Sequence, residues 1–102
     1  MPGVAYYQER LIVALSHRAN LCSRIFDAWA SVGPAVPVGA KELTSAAQLS
    51  HLDEVGASEL LRTLDSLGML QGQGPRWTPS PSLASAMTTL AVVFSGIDTY
   101  RS

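Results

Sequence analysis

The chain of 102 residues is long enough for one domain with a small core, and 47% of its residues are hydrophobic whereas 15% are charged. This balance leaves apolar surface in excess, which a small protein often buries against a partner. The net charge of −1 argues against a free-standing nucleic-acid binder, because such proteins are usually basic. Cys22 is the single cysteine, so an intrachain disulfide is excluded, and a cytoplasmic protein without a signal peptide or membrane span is expected.

The first third of the sequence predicts helix from about residue 4 to residue 32. Apolar positions recur at alternating steps of four and three, which makes a heptad seam with one polar interruption at Arg18. The seam consists of Leu11, Leu15, Arg18, Cys22, Ile25, Trp29 and Val32. Residues 16–20 are polar enough to break the helix, so one long helix and two shorter helices are both open. Gly33 and Pro34 end the segment.

The middle of the chain predicts a second helix between two connections. Residues 35–39 are rich in proline and therefore extended, and residues 40–49 predict a weakly amphipathic helix. Residues 50–56 form the turn to a third helix, for which Asp53 or Ser58 offers the N-cap.

The third helix and the hairpin after it are the clearest pattern in the sequence. Four leucines fall on one helical face, and Gly68 follows them, where a left-handed residue commonly ends a helix. These leucines are Leu60, Leu61, Leu64 and Leu67. Residues 69–70 begin an extended step, residues 71–75 predict a glycine-rich turn, and residues 76–78 predict a return strand. A helix, a glycine stop and a hairpin form the second half of a winged helix-turn-helix.

A second heptad seam predicts a C-terminal helix over residues 82–96, with Ser82 as its N-cap and Gly96 at its end. Apolar residues again recur at steps of four and three. Flanking helices of this kind typically pair across a two-fold axis, so the two seams predict a homodimer or a contact with a partner protein domain. The predicted interface comprises Leu11, Leu15, Ile25, Trp29, Leu83, Met87, Leu90, Phe94 and Ile97.

The order of elements from Phe26 to Met87 resembles the winged-helix superfamily. The residues that carry the resemblance are Phe-Asp-Ala-Trp at 26–29, Ala-Lys-Glu-Leu at 40–43, Glu-Leu-Leu-Arg-Thr-Leu-Asp-Ser-Leu-Gly-Met-Leu at 59–70 and Trp-Thr-Pro at 77–79. The resemblance implies a mainly α fold with a small β-hairpin wing. Its expected parts are an N-terminal helical segment (residues 1–33), a helix-turn-helix with wing (38–78) and a long C-terminal helix (82–96).

Two branches of that superfamily are similar to this chain. One is the N-terminal dimerisation domain of small-molecule O-methyltransferases, which implies a non-catalytic module for homodimerisation or for docking to a partner protein or domain. The other is the bacterial transcriptional regulators of the MarR, IclR and TrmB kind, which implies DNA binding through the exposed face of the third helix. The DNA-binding residues would then be Lys41, Ser58, Arg62 and Arg76.

Carboxylates on the third helix favour the interaction module over the DNA-binding regulator. Both branches commonly have arginine where this chain has Glu59. Glu59 is expected on the exposed face, with Asp53 and Glu54 at the start of the helix, and phosphate oxygens would repel all three carboxylates. DNA therefore remains the second of the two predicted partners.

The sequence offers no pattern typical of a catalytic, cofactor or metal site. His17 and His51 lie far apart, and with one thiol they do not supply the three or four converging ligands that a metal needs. No nucleophile motif surrounds a serine, and the glycines at 72 and 74 lie in a hairpin without a following helix N-terminus. A protein that is not an enzyme and binds no cofactor is expected.

Overall fold

Five α-helices and one β-hairpin make up residues 4–33 and 35–101, the part of the chain that the computed structural model describes. Two 3₁₀ turns, Ser16–Arg18 and His51–Asp53, lie between helices. The elements are α1 (Val4–Leu15), α2 (Ala19–Val32), α3 (Ala40–Ala46), α4 (Glu54–Ser66), β1 (Leu70–Gln73), β2 (Arg76–Pro79) and α5 (Pro81–Arg101). The predicted combination of a mainly helical chain and a small antiparallel hairpin is therefore present.

The first helical segment is divided into α1 and α2, so the alternative of two shorter helices is the one found. The 3₁₀ turn Ser16–Arg18 replaces the α-helix at the polar stretch. Gly33 ends α2 with a φ of 127°, a value that favours glycine, and its N–H donates to the Trp29 carbonyl at 3.0 Å. Pro34, the other predicted end signal, lies outside the described residues.

The third predicted helix, α4, begins at Glu54, earlier than a cap at Ser58 would allow. Asp53 occupies the N-cap position but makes no side-chain capping bond. Ser50 instead caps the 3₁₀ turn that leads into α4, since its Oγ accepts from Leu52 N–H at 3.2 Å. Ser58 is therefore wrong as the cap, and Asp53 holds the predicted position without the capping bond, because the helix starts directly from this turn.

The end of α4 follows the predicted glycine stop. Gly68 has a φ of 74°, and its N–H donates to the Asp65 carbonyl at 2.9 Å. Met69 N–H donates to the Leu64 carbonyl at 3.0 Å, and both of these side chains are buried. This pair of bonds with its apolar contact is the Schellman motif, which turns the chain out of the helix and into β1.

The hairpin pairs Leu70 with Pro79 at its open end and Gln73 with Arg76 beside the turn. The turn itself is only Gly74 and Pro75, shorter than the predicted five residues, because β1 continues to Gln73. Gly74 has a φ of 66° at the first position of this two-residue loop, where glycine is favoured.

An isolated antiparallel bridge attaches the 35–39 connection to the hairpin. Val38 N–H donates to the Trp77 carbonyl at 2.9 Å, and Trp77 N–H donates to the Val38 carbonyl at 2.8 Å. Val38 therefore lies as a third extended segment beside β2.

The C-terminal helix α5 is longer at both ends than predicted. Its cap is Ser80 rather than Ser82, since Ser80 Oγ accepts from Leu83 N–H at 3.3 Å, and Pro81 takes the first helical position. Gly96 does not end the helix, which continues to Arg101. A glycine inside a helix costs only about 1 kcal/mol, and Ile97 beyond it packs partly against the core.

One hydrophobic core lies between α2 and α5 and is closed by α1, α3, α4 and the hairpin. The rings of Phe26 and Phe94 stack with centroids 6.0 Å apart, which joins α2 to α5. The largest fully buried side chains are Trp29, Phe26, Phe94, Leu11, Leu15, Ile25, Leu43, Leu60, Leu64, Leu83, Met87 and Leu90.

Candidate functional site

The residues predicted as a dimer interface lie in the interior of a single chain. Eight of them expose at most 1% of their surface: Leu11, Leu15, Ile25, Trp29, Leu83, Met87, Leu90 and Phe94. Ile97 is partly buried against the same core. A heptad seam fits a helix of the same chain as well as a helix of another chain, and here the two seams face each other. These side chains are therefore not open to a partner, and a dimer would use other residues.

The opposite face of the α2–α5 pair is open and forms a groove of about 780 Å³. Ser23 Oγ donates to the Ala91 carbonyl at 3.0 Å, so the two helices lie close together along the groove floor. The groove is lined by Ser23, Arg24, Asp27, Thr88, Ala91, Val92, Ser95, Gly96, Thr99 and Tyr100.

The α5 side of this groove has no charged residue over a long stretch, because residues 77–97 contain none. An exposed helix face usually carries charged side chains, whereas this one carries hydroxyls together with Val92, 67% exposed, and Tyr100, 93% exposed. Tyrosine is enriched in protein interfaces because it brings a large apolar area with a polar tip. The groove face is therefore the strongest candidate for a contact surface.

The same helix is long and apolar enough, by length and composition, to cross a membrane over Pro81–Tyr100. However, 33% of the 18-residue window that meets this criterion is buried inside the fold, and Leu90 and Phe94 belong to the core. Part of the apolar character of α5 therefore comes from the residues that this helix supplies to the core.

Two charged side chains, Arg24 and Asp27 of α2, line the groove among the described residues. Arg24 Nη2 donates to the carbonyls of Ala47 at 3.1 Å and Gln48 at 3.3 Å, just beyond the end of α3. Asp27 makes no ion pair with any described side chain. The groove thus presents one cation and one anion a single helical turn apart.

Glu59 does not project freely from the exposed face of α4, contrary to the expectation from the sequence. Its Oε2 accepts from Arg18 Nε at 2.7 Å, and its Oε1 lies 3.4 Å from His17 Nε2. The carboxylate thus connects α4 to the turn between α1 and α2. This contact also explains the polar interruption of the first seam, since Arg18 there pairs with a charge on another helix.

Close packing supports the Arg18–Glu59 contact. A Cβ atom at Gly56, one turn before Glu59, would lie 2.7 Å from Leu21 Cδ1 and 3.1 Å from Arg18 Nη1, so glycine permits this close approach. Beneath the pair, burial first and then the Glu59 charge raise the pKa of Cys22 to about 12, against the lowering effect of Arg18. The thiol stays protonated at neutral pH and is a poor nucleophile and metal ligand there.

The residues predicted for DNA binding are divided among three elements. Arg76 of the hairpin lies 3.1 Å from the Glu42 carboxylate, which offsets its charge, and Lys41 is exposed on α3. On α4, Arg62 is exposed and Ser58 is half-buried. The same helix exposes Asp65, so the described part of α4 presents no purely basic face.

The start of α4 also exposes apolar side chains. Leu52 is 76% and Val55 is 68% exposed, and Asp53 and Glu54 between them are half-buried. Apolar side chains beside carboxylates do not supply the phosphate contacts on which DNA affinity depends.

No convergent metal-ligand group is found within residues 4–33 and 35–101. There, no three side chains of His, Cys, Asp or Glu come close enough to hold a metal ion. His17 lies beside Glu59, whereas His51 is exposed in the turn before α4.

Comparison with known proteins gives no match: no family model fits the chain, and no curated protein and no solved structure is significantly similar to it. What the chain does must therefore be inferred from its own surface, on which the groove between α2 and α5, with its uncharged α5 side, is the most distinctive feature.

Proposed function

We propose that this chain is a non-catalytic winged-helix module that mediates homodimerisation, or docking to a partner protein, through the groove face of α2 and α5. The observation that carries the proposal is the exposed side of α5, where Val92 lies exposed in a stretch without charge and Tyr100 is exposed beyond its end. Exposed apolar surface of this kind is stabilised when another protein covers it.

The order of the elements supports the winged-helix interpretation. α2 is followed by the extended Val38, by α3 and α4, and by the β1–β2 hairpin. In a winged helix the short first strand lies beside the wing, which corresponds here to the Val38–Trp77 bridge.

The proposed function predicts that a charge on the groove face separates the dimer. Val92→Glu places a carboxylate in the groove, where covering it would require its desolvation, so we expect dissociation to the monomer. Val55→Glu is the matched control, because Val55 is a helical valine of nearly equal exposure, 68% against 67%. Sedimentation velocity at micromolar concentration, with circular dichroism to verify folding, measures both variants beside the wild type.

The expected result is a wild-type dimer, a dimeric Val55→Glu variant and a folded, monomeric Val92→Glu variant. A wild-type monomer at every concentration would overturn homodimerisation. A wild-type monomer that floats with phosphatidylcholine vesicles, and loses this binding in Val92→Glu, would show that the face contacts lipid and would also overturn the proposal.

A further inference from the structure

We infer that the occupant of the groove is a second copy of this chain, held in register by two reciprocal contacts between Arg24 and Asp27 across a two-fold axis. This inference rests on the proposed function, and it adds the identity and orientation of the partner.

The charges of the groove are complementary to themselves. In a two-fold interface, residue i of one protomer contacts residue j of its partner, and j contacts i in return. Arg24 and Asp27 lie one turn apart on the same helix and line the same groove. A two-fold axis that passes between them brings each arginine to the other protomer's aspartate, so both charges are paired.

The state of each side chain fits such a contact. Asp27 has no ion-pair partner among the described side chains, so its carboxylate is available. Arg24 uses Nη2 for the carbonyls beyond α3, and among the described residues its Nε and Nη1 donate no hydrogen bond. The α3 contact would hold the guanidinium in place and reduce the entropy lost when it meets a carboxylate.

The rest of the face suits a copy of itself. Because α5 carries no charged residue from Pro81 to Ile97, two α5 helices can approach over this length without like-charge repulsion. Small side chains such as Ser95 and Gly96 permit close approach between the two helices. The part of α5 that lines the groove, from Thr88 to Tyr100, is about 20 Å long. With two helices side by side the face covers on the order of 400 Å² per partner in projection, which is the size of a small, weak interface.

Charge reversal tests the register directly. Arg24→Asp and Asp27→Arg each create two like-charge contacts in the homodimer, so we expect the dimer dissociation constant to rise by at least about tenfold in each. An equimolar mixture of the two variants should form a heterodimer of near wild-type affinity, because both contacts then join opposite charges. Sedimentation equilibrium of the separate and mixed variants measures this, and one variant carrying a fluorescent label identifies the heterodimer.

The chain provides a matched control on α4. Arg62 and Asp65 are also an exposed arginine and aspartate three residues apart, but they lie away from the groove. Arg62→Asp and Asp65→Arg should dimerise as the wild type does, separately and when mixed. If mixing Arg24→Asp with Asp27→Arg restores dimerisation, loss of the α3 contact cannot be the reason why Arg24→Asp fails to dimerise alone, because this variant lacks that contact in the mixture too.

The outcomes separate the two proposals. If Val92→Glu dissociates the dimer while the charge variants of Arg24 and Asp27 leave it unchanged, the interaction face stands and the register is wrong. If both charge variants are monomeric and their mixture forms no heterodimer, the reciprocal pairing is also wrong. A wild-type monomer overturns both the register and homodimerisation.

Discussion

Substituting Gly56 with alanine brings two opposing effects together at the contact between α4 and α2. Alanine is favoured over glycine inside a helix by up to about 1 kcal/mol. However, the added Cβ would lie 2.7 Å from Leu21 Cδ1 and 3.1 Å from Arg18 Nη1, and neither distance is tolerated without movement. Overpacking of this kind costs about 1–3 kcal/mol. We therefore expect Gly56→Ala to lower the free energy of unfolding by roughly 0–2 kcal/mol, whereas helix propensity alone predicts that the substitution raises it.

Gly96→Ala is the matched control, since Gly96 is also helical but a Cβ there meets nothing within 4 Å. This variant should raise the free energy of unfolding by up to about 1 kcal/mol. Because Gly96 lies in the groove, both substitutions are compared in the Val92→Glu background, where the assembly makes no contribution. Urea denaturation followed by circular dichroism gives the two free energies.

A double-mutant cycle identifies the clash as the cause. In a Leu21→Ala background the nearest obstructing atom is absent, so Gly56→Ala should cost less there, with a coupling energy of about 0.5–3 kcal/mol between the two positions. If Gly56→Ala stabilises the chain as much as Gly96→Ala does, or if the coupling is zero, the close approach of α2 and α4 at this point is wrong.

Two further predictions concern DNA and pH. Wild type should bind random duplex DNA weakly or not at all at about 0.15 M salt, measured by fluorescence anisotropy; tight, salt-sensitive binding that Arg62→Ala or Arg76→Ala abolishes would favour the regulator. For Cys22, burial raises the pKa from 9.0 to about 12, so above pH 9 the unfolded chain loses a proton that the folded chain retains. The Cys22 contribution to stability is thus full below pH 9 and is lost as the pH rises towards 12. Urea denaturation across this range should show a steeper decline for wild type than for Cys22→Ala, and equal slopes would contradict the assignment.

The hairpin and the helix before it were predictable because their signals are local. The leucine face and Gly68 together predict where α4 ends, and the observed Schellman bonds use only residues within that turn. The start of α4 was harder to predict from the sequence. The bond from Leu52 N–H to Ser50 Oγ, which caps the 3₁₀ turn before α4, is of a kind that occurs in many other turns.

The candidate surface was harder to predict than the fold. A heptad seam specifies that an apolar face is covered, without specifying which helix covers it, so Leu11 and Phe94 were assigned to a partner when they belong to the core. Residues 77–97 carry the signal that was overlooked, because a long stretch without charge leaves the exposed side of α5 uncharged from Pro81 to Ile97. Arg18 on the first seam was a comparable signal, since a charge at a covered position requires an opposite charge nearby.

The contact between α2 and α5 has a consequence for how the chain folds during synthesis. It joins residues far apart in the sequence, as in the bond from Ser23 to Ala91, which spans 68 positions. Phe26 and Trp29 therefore remain without their main covering helix until α5 has emerged from the ribosome. Contacts of such long range form slowly, and apolar side chains that wait for them are exposed to aggregation. The order of synthesis thus leaves the apolar side chains of α2 vulnerable from the appearance of α2 until the arrival of α5, the last helix in the described residues.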